Sequence, residues 1–507
     1  MKSLSRTYEF HSTRVKNSYG SSIPRNKTKL EFRHSYLLFS LVVLLVMFAE
    51  TLSYSTIGIA YSYFQAFLVV FHLLRGKLFQ AILIHILFVL TSLEWPADLA
   101  LGPVIYTYRT VSIFGITIST ITLGLLFFAV VSKTSFHFKL RRTHMWFFLL
   151  FFFAILTGVM GLVFSDYSLS YFISDLQYWM VLLMSAVLGF AFFSSKRAAA
   201  SIFEKLLLFV LCSRSVIGFF GSFLGFQKGM YGGIATFTYD AIDLLIPLII
   251  LAIFRKNSSI TTKLLISLCW SLGILKTLMF GGSGKGLMLI SGVFAVLLLK
   301  TLSSRVSILA KLFTVALLMC VVFLIVLALP NVLENNLLFS IKYNQVASLL
   351  SFSWIKNPYE LPPSPRDRVL EFYNSAAFYS EYPLFILTGR GFGGYFEDKA
   401  FYNYTASDKG GYSTEEVKTR KFVNPHESLN VVFLKFGLSG VVIWVLFLVR
   451  FLGTRRRHLQ ASLLIRSSGF VLVFLVLGFS LKLAFLIGFC IASMVGGEAS
   501  SVESALC

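Results

Sequence analysis

The stretch Ser428–Arg450, SLNVVFLKFGLSGVVIWVLFLVR, decides the fold class. It is long enough to cross a bilayer as a helix, for which about 20 apolar residues suffice. Lys435 is its one charge before the closing Arg450. Apolar and polar residues do not alternate along it, so it predicts a helix rather than a strand of a membrane barrel.

Segments of the same kind recur on both sides. They lie near 35–54, 57–74, 78–94, 110–131, 145–165, 176–193, 202–225, 239–254, 263–280, 286–300 and 306–329 before it, and near 462–479 and 481–497 after it. The last two also fit one broken hairpin. The expected architecture is an all-α integral membrane protein with about 12–14 transmembrane helices, since lipid leaves every spanning backbone to satisfy its own hydrogen bonds. Five regions follow: a basic cytoplasmic tail over 1–34, a transmembrane bundle over 35–329, a loop domain over 330–427, C-terminal transmembrane helices over 428–497 and a tail over 498–507.

Composition agrees. Of 507 residues, 56% are hydrophobic and 13% charged, about half the charged share of a soluble domain. The net charge of +22 would suggest nucleic acid in a soluble chain. Here the positives sit in alternate loops, among them Arg75 and Lys77, Arg141 and Arg142, Lys196 and Arg197, and Arg455–Arg457. That places these loops and the N-terminus in the cytoplasm and implies no nucleic-acid partner. The N-terminus, Lys2 to Arg33, has no short apolar core with a cleavage site, so it reads as a cytoplasmic tail and not a removable signal. The five cysteines show neither a disulfide framework nor zinc-ligand spacing.

The connection before Ser428 is unlike the others. Residues 330–427 are expected to form a long loop on the outer side, rich in Pro, Gly, Asn, Tyr and charge; the resemblance given below makes that side the periplasm. Loops of this length in compact proteins are functional or disordered. The spacing of RVLEFYNSAAFYSEY, Arg368–Tyr382, predicts a helix near 366–381.

Of the eight histidines, His426 alone falls on the outer side, in Asn424-Pro425-His426-Glu427-Ser428 at the mouth of the re-entering helix. A neutral imidazole there can accept a proton from a hydroxyl; the bland alternative is a solvated residue beside a helix start. Lys285, Arg366, Arg368 and Arg390 place cations against the positive-inside bias, suited to the phosphates of an anionic lipid. Their bland alternative is pairing with loop carboxylates such as Asp367 or Glu371. The turn Gly281-Gly282-Ser283-Gly284-Lys285-Gly286 is not a nucleotide-binding phosphate loop, because Met279 and Gly286 stand where that pattern needs Gly and Ser/Thr. Within the spans, Arg214 and either Asp240 or Asp243 predict a structural ion pair.

Three stretches together resemble the O-antigen ligase and O-antigen polymerase superfamily. They are Ser283-Gly284-Lys285-Gly286-Leu287-Met288-Leu289; Arg368-Val369-Leu370-Glu371-Phe372 with Tyr382-Pro383-Leu384 and Thr388-Gly389-Arg390-Gly391-Phe392-Gly393-Gly394-Tyr395; and Asn424-Pro425-His426-Glu427-Ser428-Leu429 with Phe436-Gly437-Leu438-Ser439-Gly440. The likeness covers roughly 265–450. Lys285 stands where that family has Arg, Phe372 where it has Trp, and Glu427 where it has Asn.

The resemblance implies a metal-independent, cofactor-free glycosyltransferase of the bacterial inner membrane. It would act on undecaprenyl-diphosphate-linked glycan among membrane lipids, with a chain-length regulator or a flippase as protein partner. His426 would be the base on the acceptor hydroxyl, and Arg368 and Lys285 would hold the diphosphate. Arg366 and Arg390 join them on charge and setting. A polymerase of repeat units is the preferred reading. A ligase onto lipid A-core, a lipid-linked glycan transporter and a non-catalytic assembly partner remain alternatives.

Overall fold

The computed structural model describes residues 40–47, 49, 55–93, 107–113, 115–133, 142–195, 198–223, 241–254, 260–279, 285, 289, 290, 292, 293, 337–399, 412, 414–452, 463–478 and 480–495. The chain divides into a short unit, Met1–Val42, and a large one, Val43–Cys507; the elements below belong to the large unit. The expected spans at 286–300 and 306–329, the turn before Lys285, and Asp240 lie largely or wholly outside the described residues.

The large unit is predominantly helical. In chain order come α1 (Ser55–Leu74), α2 (Leu78–Thr91), α3 (Ile118–Lys133), α4 (Arg142–Phe164), α5 (Leu169–Ser195), α6 (Ala199–Phe223), a 3-10 helix (Ala241–Phe254) and α7 (Ile260–Met279). After them come α8 (Leu337–Leu350), α9 (Pro363–Glu381), α10 (Phe385–Thr388), α11 (Thr414–Thr419), α12 (Ser428–Leu452), α13 (Leu463–Leu475) and α14 (Leu481–Val495). Among the described residues, four helices are long and apolar enough to cross a membrane: Thr56–Leu74, Leu169–Ser195, Ile260–Thr277 and Ser428–Phe451. Their outer faces carry Phe64, Phe67, Leu264, Leu268, Val442 and Leu446, all exposed. That is the surface a helix offers to lipid and not to water.

Two departures from the expected spans have local causes. Helix α3 starts later than expected because residues 112–117 form a β-hairpin, β1 (Ser112–Ile113) with β2 (Ile116–Thr117), Ser112 opposite Thr117. Gly115 supplies the positive φ of +78° that the tight turn needs. Helix α12 is continuous in sequence but broken at Gly437, whose φ of 62° and ψ of −156° are not helical.

Close packing in the bundle uses small residues, as membrane helices do. Helices α5 and α14 advance side by side. A Cβ on Gly488 would lie 2.1 Å from Ser185 Oγ, and one on Gly189 would lie 2.8 Å from Ala492 Cβ. The expected intramembrane ion pair is present and has a third member. Fully buried Arg214 on α6 donates to both oxygens of Asp243 at 2.8 Å, and Lys276 on α7 donates to Asp243 at 2.6 Å. Gly218 makes room for Lys276, since a Cβ there would lie 2.8 Å from its Nζ.

The described residues of the segment before α12, 337–399, 412 and 414–427, are folded. The segment's expected helix, 366–381, is α9, and α8 lies ahead of it without having been expected. Strands β3 (Phe396–Glu397) and β4 (Lys421–Phe422) pair antiparallel, Phe396 opposite Phe422. Phe396, Tyr412 and Phe422 form a small core that closes on Leu434 of α12, so this segment sits directly on the first half of α12.

Candidate active site

Helix α9 begins with Pro363, whose fixed φ suits a first helical position. Its buried face is unusual. Asp367, Leu370, Glu371, Asn374, Ser375 and Tyr379 recur at helical spacing and are all buried, where an amphipathic helix normally turns aliphatic side chains inward. Burying a carboxylate is costly unless hydrogen bonds replace its water.

Glu371 has those bonds. It accepts from the backbone N–H of His426 at 3.0 Å, from Asn430 Nδ2 at 2.8 Å and from the hydroxyl of Tyr412. Its shortest bond to an imidazole is with His426 Nδ1, at 2.5 Å. Burial alone would raise this carboxyl; the imidazole of His426 and the bonds from His426, Tyr412 and Asn430 outweigh it, so the group lies below its ordinary value and is ionised.

His426 is thereby fixed. Nδ1 points at a carboxylate, so in the neutral ring Nδ1 carries the hydrogen and Nε2 is the basic nitrogen. Tyr412 stands edge-on to the imidazole at 4.5 Å and limits its rotation. The backbone is held as well. Asn430, one turn further on, also donates to the carbonyl of Arg368 at 2.8 Å, and Ser428 Oγ accepts from the N–H of Leu477 at 2.7 Å.

Glu427 gathers the cations. Arg368 Nε lies 2.6 Å from one of its oxygens and Lys285 Nζ 3.2 Å from the other. Lys285 also donates to the carbonyl of His426 at 3.1 Å and to that of Leu475 at 2.6 Å. Of the residues read from sequence, His426, Arg368 and Lys285 thus come together around Glu427. The expected pairing of Arg368 with a loop carboxylate is with Glu427, while Glu371 serves His426. Arg366, in the first turn of α9, is half-buried, and its Nε has no hydrogen-bond partner among the described residues.

Arg390 lies in a different setting. Its guanidinium stacks over Phe378 at 4.0 Å and Tyr395 at 4.4 Å, and donates to the Tyr395 carbonyl at 2.5 Å. Its Nε also donates to the Tyr167 hydroxyl at 3.1 Å, so aromatic side chains enclose the guanidinium, and the backbone of the same loop, Gly389–Gly394, is tied to α12. There the N–H groups of Arg390 and Gly391 donate to the carbonyls of Leu434 and Lys435, at 2.8 and 3.1 Å. Those carbonyls precede the break at Gly437, so the loop satisfies polar groups that the interrupted helix exposes. Gly389 has a φ of +70°, and a Cβ on it would lie 2.4 Å from the Lys435 backbone.

A cavity of about 280 Å3 opens beside His426. Its walls are Tyr178 and Trp179 of α5, Asn424–His426, and Ser480 of the turn before α14. Its floor is the buried pair Lys435–Asp175, 2.5 Å apart, with Lys435 also donating to the Gly394 carbonyl at 2.9 Å and Asp175 accepting from the Gly393 N–H at 2.7 Å. Among the described residues no group of three His, Cys, Asp or Glu side chains converges as a metal site requires.

Sequence reasoning missed Glu371 as the partner of His426, and missed Tyr412 and Asn430. The polar stripe of α9 and the one-turn spacing of Asn430 from His426 are the signals for Glu371 and Asn430; no local pattern marks Tyr412. In comparisons with known protein families, curated proteins and solved structures, the chain matches none.

Proposed function

We propose that the chain is a membrane glycosyltransferase of bacterial surface-polysaccharide assembly. It joins repeat units carried on undecaprenyl diphosphate, at the periplasmic face of the inner membrane. In this reading about 12–14 helices span the bilayer, the N-terminus is cytoplasmic, and residues 330–427 lie over the outer face. The observation that carries the reading is the Glu371–His426 pair at the edge of a polar cavity, with Arg368 and Lys285 one residue away on Glu427.

Each part has a chemical task. His426 Nε2 takes the proton of the acceptor hydroxyl as its oxygen attacks the anomeric carbon of the donor sugar. The bond from that carbon to the diphosphate oxygen breaks, and the diphosphate leaves with the electron pair. Glu371 holds the imidazole in the useful tautomer and stabilises the imidazolium that forms, a role worth orders of magnitude in comparable pairs. An anionic head group competes with Glu427 for Arg368 and Lys285, and preplaced cations stabilise the charge that develops on the leaving group. The resemblance in motif order and spacing supports the substrate class. The ligase reading uses the same chemistry with a different acceptor.

The surface-glycan ladder of a deletion strain complemented with wild type or His426→Ala tests this. A variant that accumulates in the membrane yet leaves a single repeat unit on the core fits the polymerase. Polymer held on undecaprenyl diphosphate and absent from the core would instead identify a ligase. A normal ladder would remove His426 from the chemistry and the proposal with it.

A further inference from the structure

The ion pair at the floor of the cavity beside His426 has hydrogen-bonding capacity left open. Asp175 of α5 and Lys435 of α12 are only 8% and 1% exposed, yet both line the cavity. Asp175 Oδ2 accepts from Lys435 and from the Gly393 N–H. The other oxygen, Oδ1, has no partner among the described residues. An ammonium has three N–H donors. Two of those on Lys435 go to Asp175 and to the Gly394 carbonyl, and the third has no partner among the described residues either. A buried ion pair is often no more stabilising than apolar side chains of the same volume. Polar positions left unmatched at such depth cost more still. On a cavity wall, they are positions for an occupant to meet.

The lining describes that occupant. One carboxylate and one ammonium cancel, and among the described residues no other Lys, Arg, Asp or Glu lines the cavity. Arg368 and Lys285 are not on its wall, so it is not the place of a diphosphate. The rest of the wall offers Gln177, Asn424 and Ser480 beside the rings of Tyr178 and Trp179. Aromatic surface with a few fixed polar groups is the usual make-up of a small-molecule site, and the volume of about 280 Å3 lies at the small end of such sites. A single neutral sugar ring has this size and this chemistry. Of two neighbouring ring hydroxyls, one can donate to Asp175 Oδ1 while the other accepts from Lys435.

We infer that Asp175 and Lys435 read two neighbouring hydroxyls of the acceptor sugar and so decide which sugar is extended. The inference rests on the proposed function and deepens it. The donor's diphosphate lies on the Arg368 side of His426, and the acceptor ring lies in the cavity on the Asp175 side. The loop that holds the pair is part of the device. Gly393 turns at a φ of +74°, which glycine takes without strain, and presents its N–H to Asp175. Fixing the ring at two hydroxyls orients a third toward His426, the contribution expected of contacts away from the reacting atoms.

The test uses the purified full chain in lipid nanodiscs with three probes. They are the repeat-unit oligosaccharide freed from its carrier, the same oligosaccharide after periodate has cut its neighbouring diols and borohydride has reduced the products, and undecaprenyl diphosphate. Asp175→Asn together with Lys435→Gln replaces the pair without leaving an unpaired buried charge. Wild type should bind the intact oligosaccharide about tenfold more tightly than the cut one, the scale of one hydrogen bond to a charged group. The double variant should lose that preference and keep the wild-type affinity for undecaprenyl diphosphate, which a misfolded chain would not. A wild type that binds both oligosaccharides equally would overturn the inference even if the double variant does not fold. So would a double variant that keeps the preference. A wild type that binds neither oligosaccharide nor undecaprenyl diphosphate would overturn the proposed function together with it.

Discussion

Asp243 and Glu371 are both carboxylates removed from water and held by several donors, yet they lead to different chemistry. Asp243 is clamped by Arg214 and Lys276, and the three residues do not line the polar cavity. Glu371 is held by Tyr412, Asn430 and backbone N–H, and its shortest contact with a base is an imidazole that borders a cavity. Cations that only clamp a carboxylate between helices make a joint. An imidazole oriented by a carboxylate beside a cavity can serve as a base. Burial and charge alone do not separate the two; access and the nature of the partner do.

The sharpest break of that contrast is His426→Ala. It should lower glycosyl transfer by about 10³-fold, within the range seen for positioned general bases, while membrane accumulation stays at the wild-type level. Glu371→Gln comes next. It keeps the shape and removes the charge, so turnover should fall by about 10²-fold with little change in KM, as when an orienting carboxylate is lost. Asp243→Asn should do the reverse. Leaving two buried cations short of their counter-charge costs about 3–5 kcal/mol, read as a lower unfolding temperature in detergent, with activity per folded molecule unchanged. Arg368→Lys should lower activity only about tenfold, because charge survives and the planar fork does not; Arg368→Ala should be worse.

The smallest effect is in acid. Folding lowers the Glu371 carboxyl below its ordinary value. A group lowered in this way contributes stability that is complete above its unfolded value and is lost as pH falls through its folded one. Unfolding temperature should therefore drop as pH passes below the ordinary carboxylate range. In Glu371→Gln this part of the slope should be missing, and thermal melts of the two proteins across that window measure the difference.

Much of this was legible in the sequence and some was not, for physical reasons. Apolar length located α1, α4, α6, α7, α12, α13 and α14, because a helix in lipid must be apolar whatever its neighbours. A pair of Arg214 with Asp240 or Asp243 was readable because an unpaired charge in a span is costly to leave; the choice of Asp243 came from the structure. His426 stood out as the one histidine that the expected topology puts on the outer side, and Arg368 and Lys285 as cations that the same topology sets against the positive-inside bias. The role of Glu371 was not legible. Asp367 and Glu371 were the carboxylates offered to the loop cations, whereas Arg368 turns to Glu427; which carboxylate meets the cation depends on the orientation of α9 against α12, a long-range contact that no local pattern encodes. Arg390 shows the same limit. Its glycine-rich setting suggests phosphate, yet Phe378 and Tyr395 enclose the guanidinium. Lys276 escaped notice as the third partner of Asp243 because it lies in the last turn of α7, where a lysine ordinarily reaches toward the interface.

The most direct test of the central claim follows the leaving group. Purified protein would be given undecaprenyl-diphosphate-linked oligosaccharide, and released undecaprenyl diphosphate would be measured for wild type, Glu371→Gln and His426→Ala. The account predicts one carrier lipid released per glycosidic bond formed by wild type, a strongly reduced rate in Glu371→Gln and almost none in His426→Ala. Release by His426→Ala at the wild-type rate would contradict it.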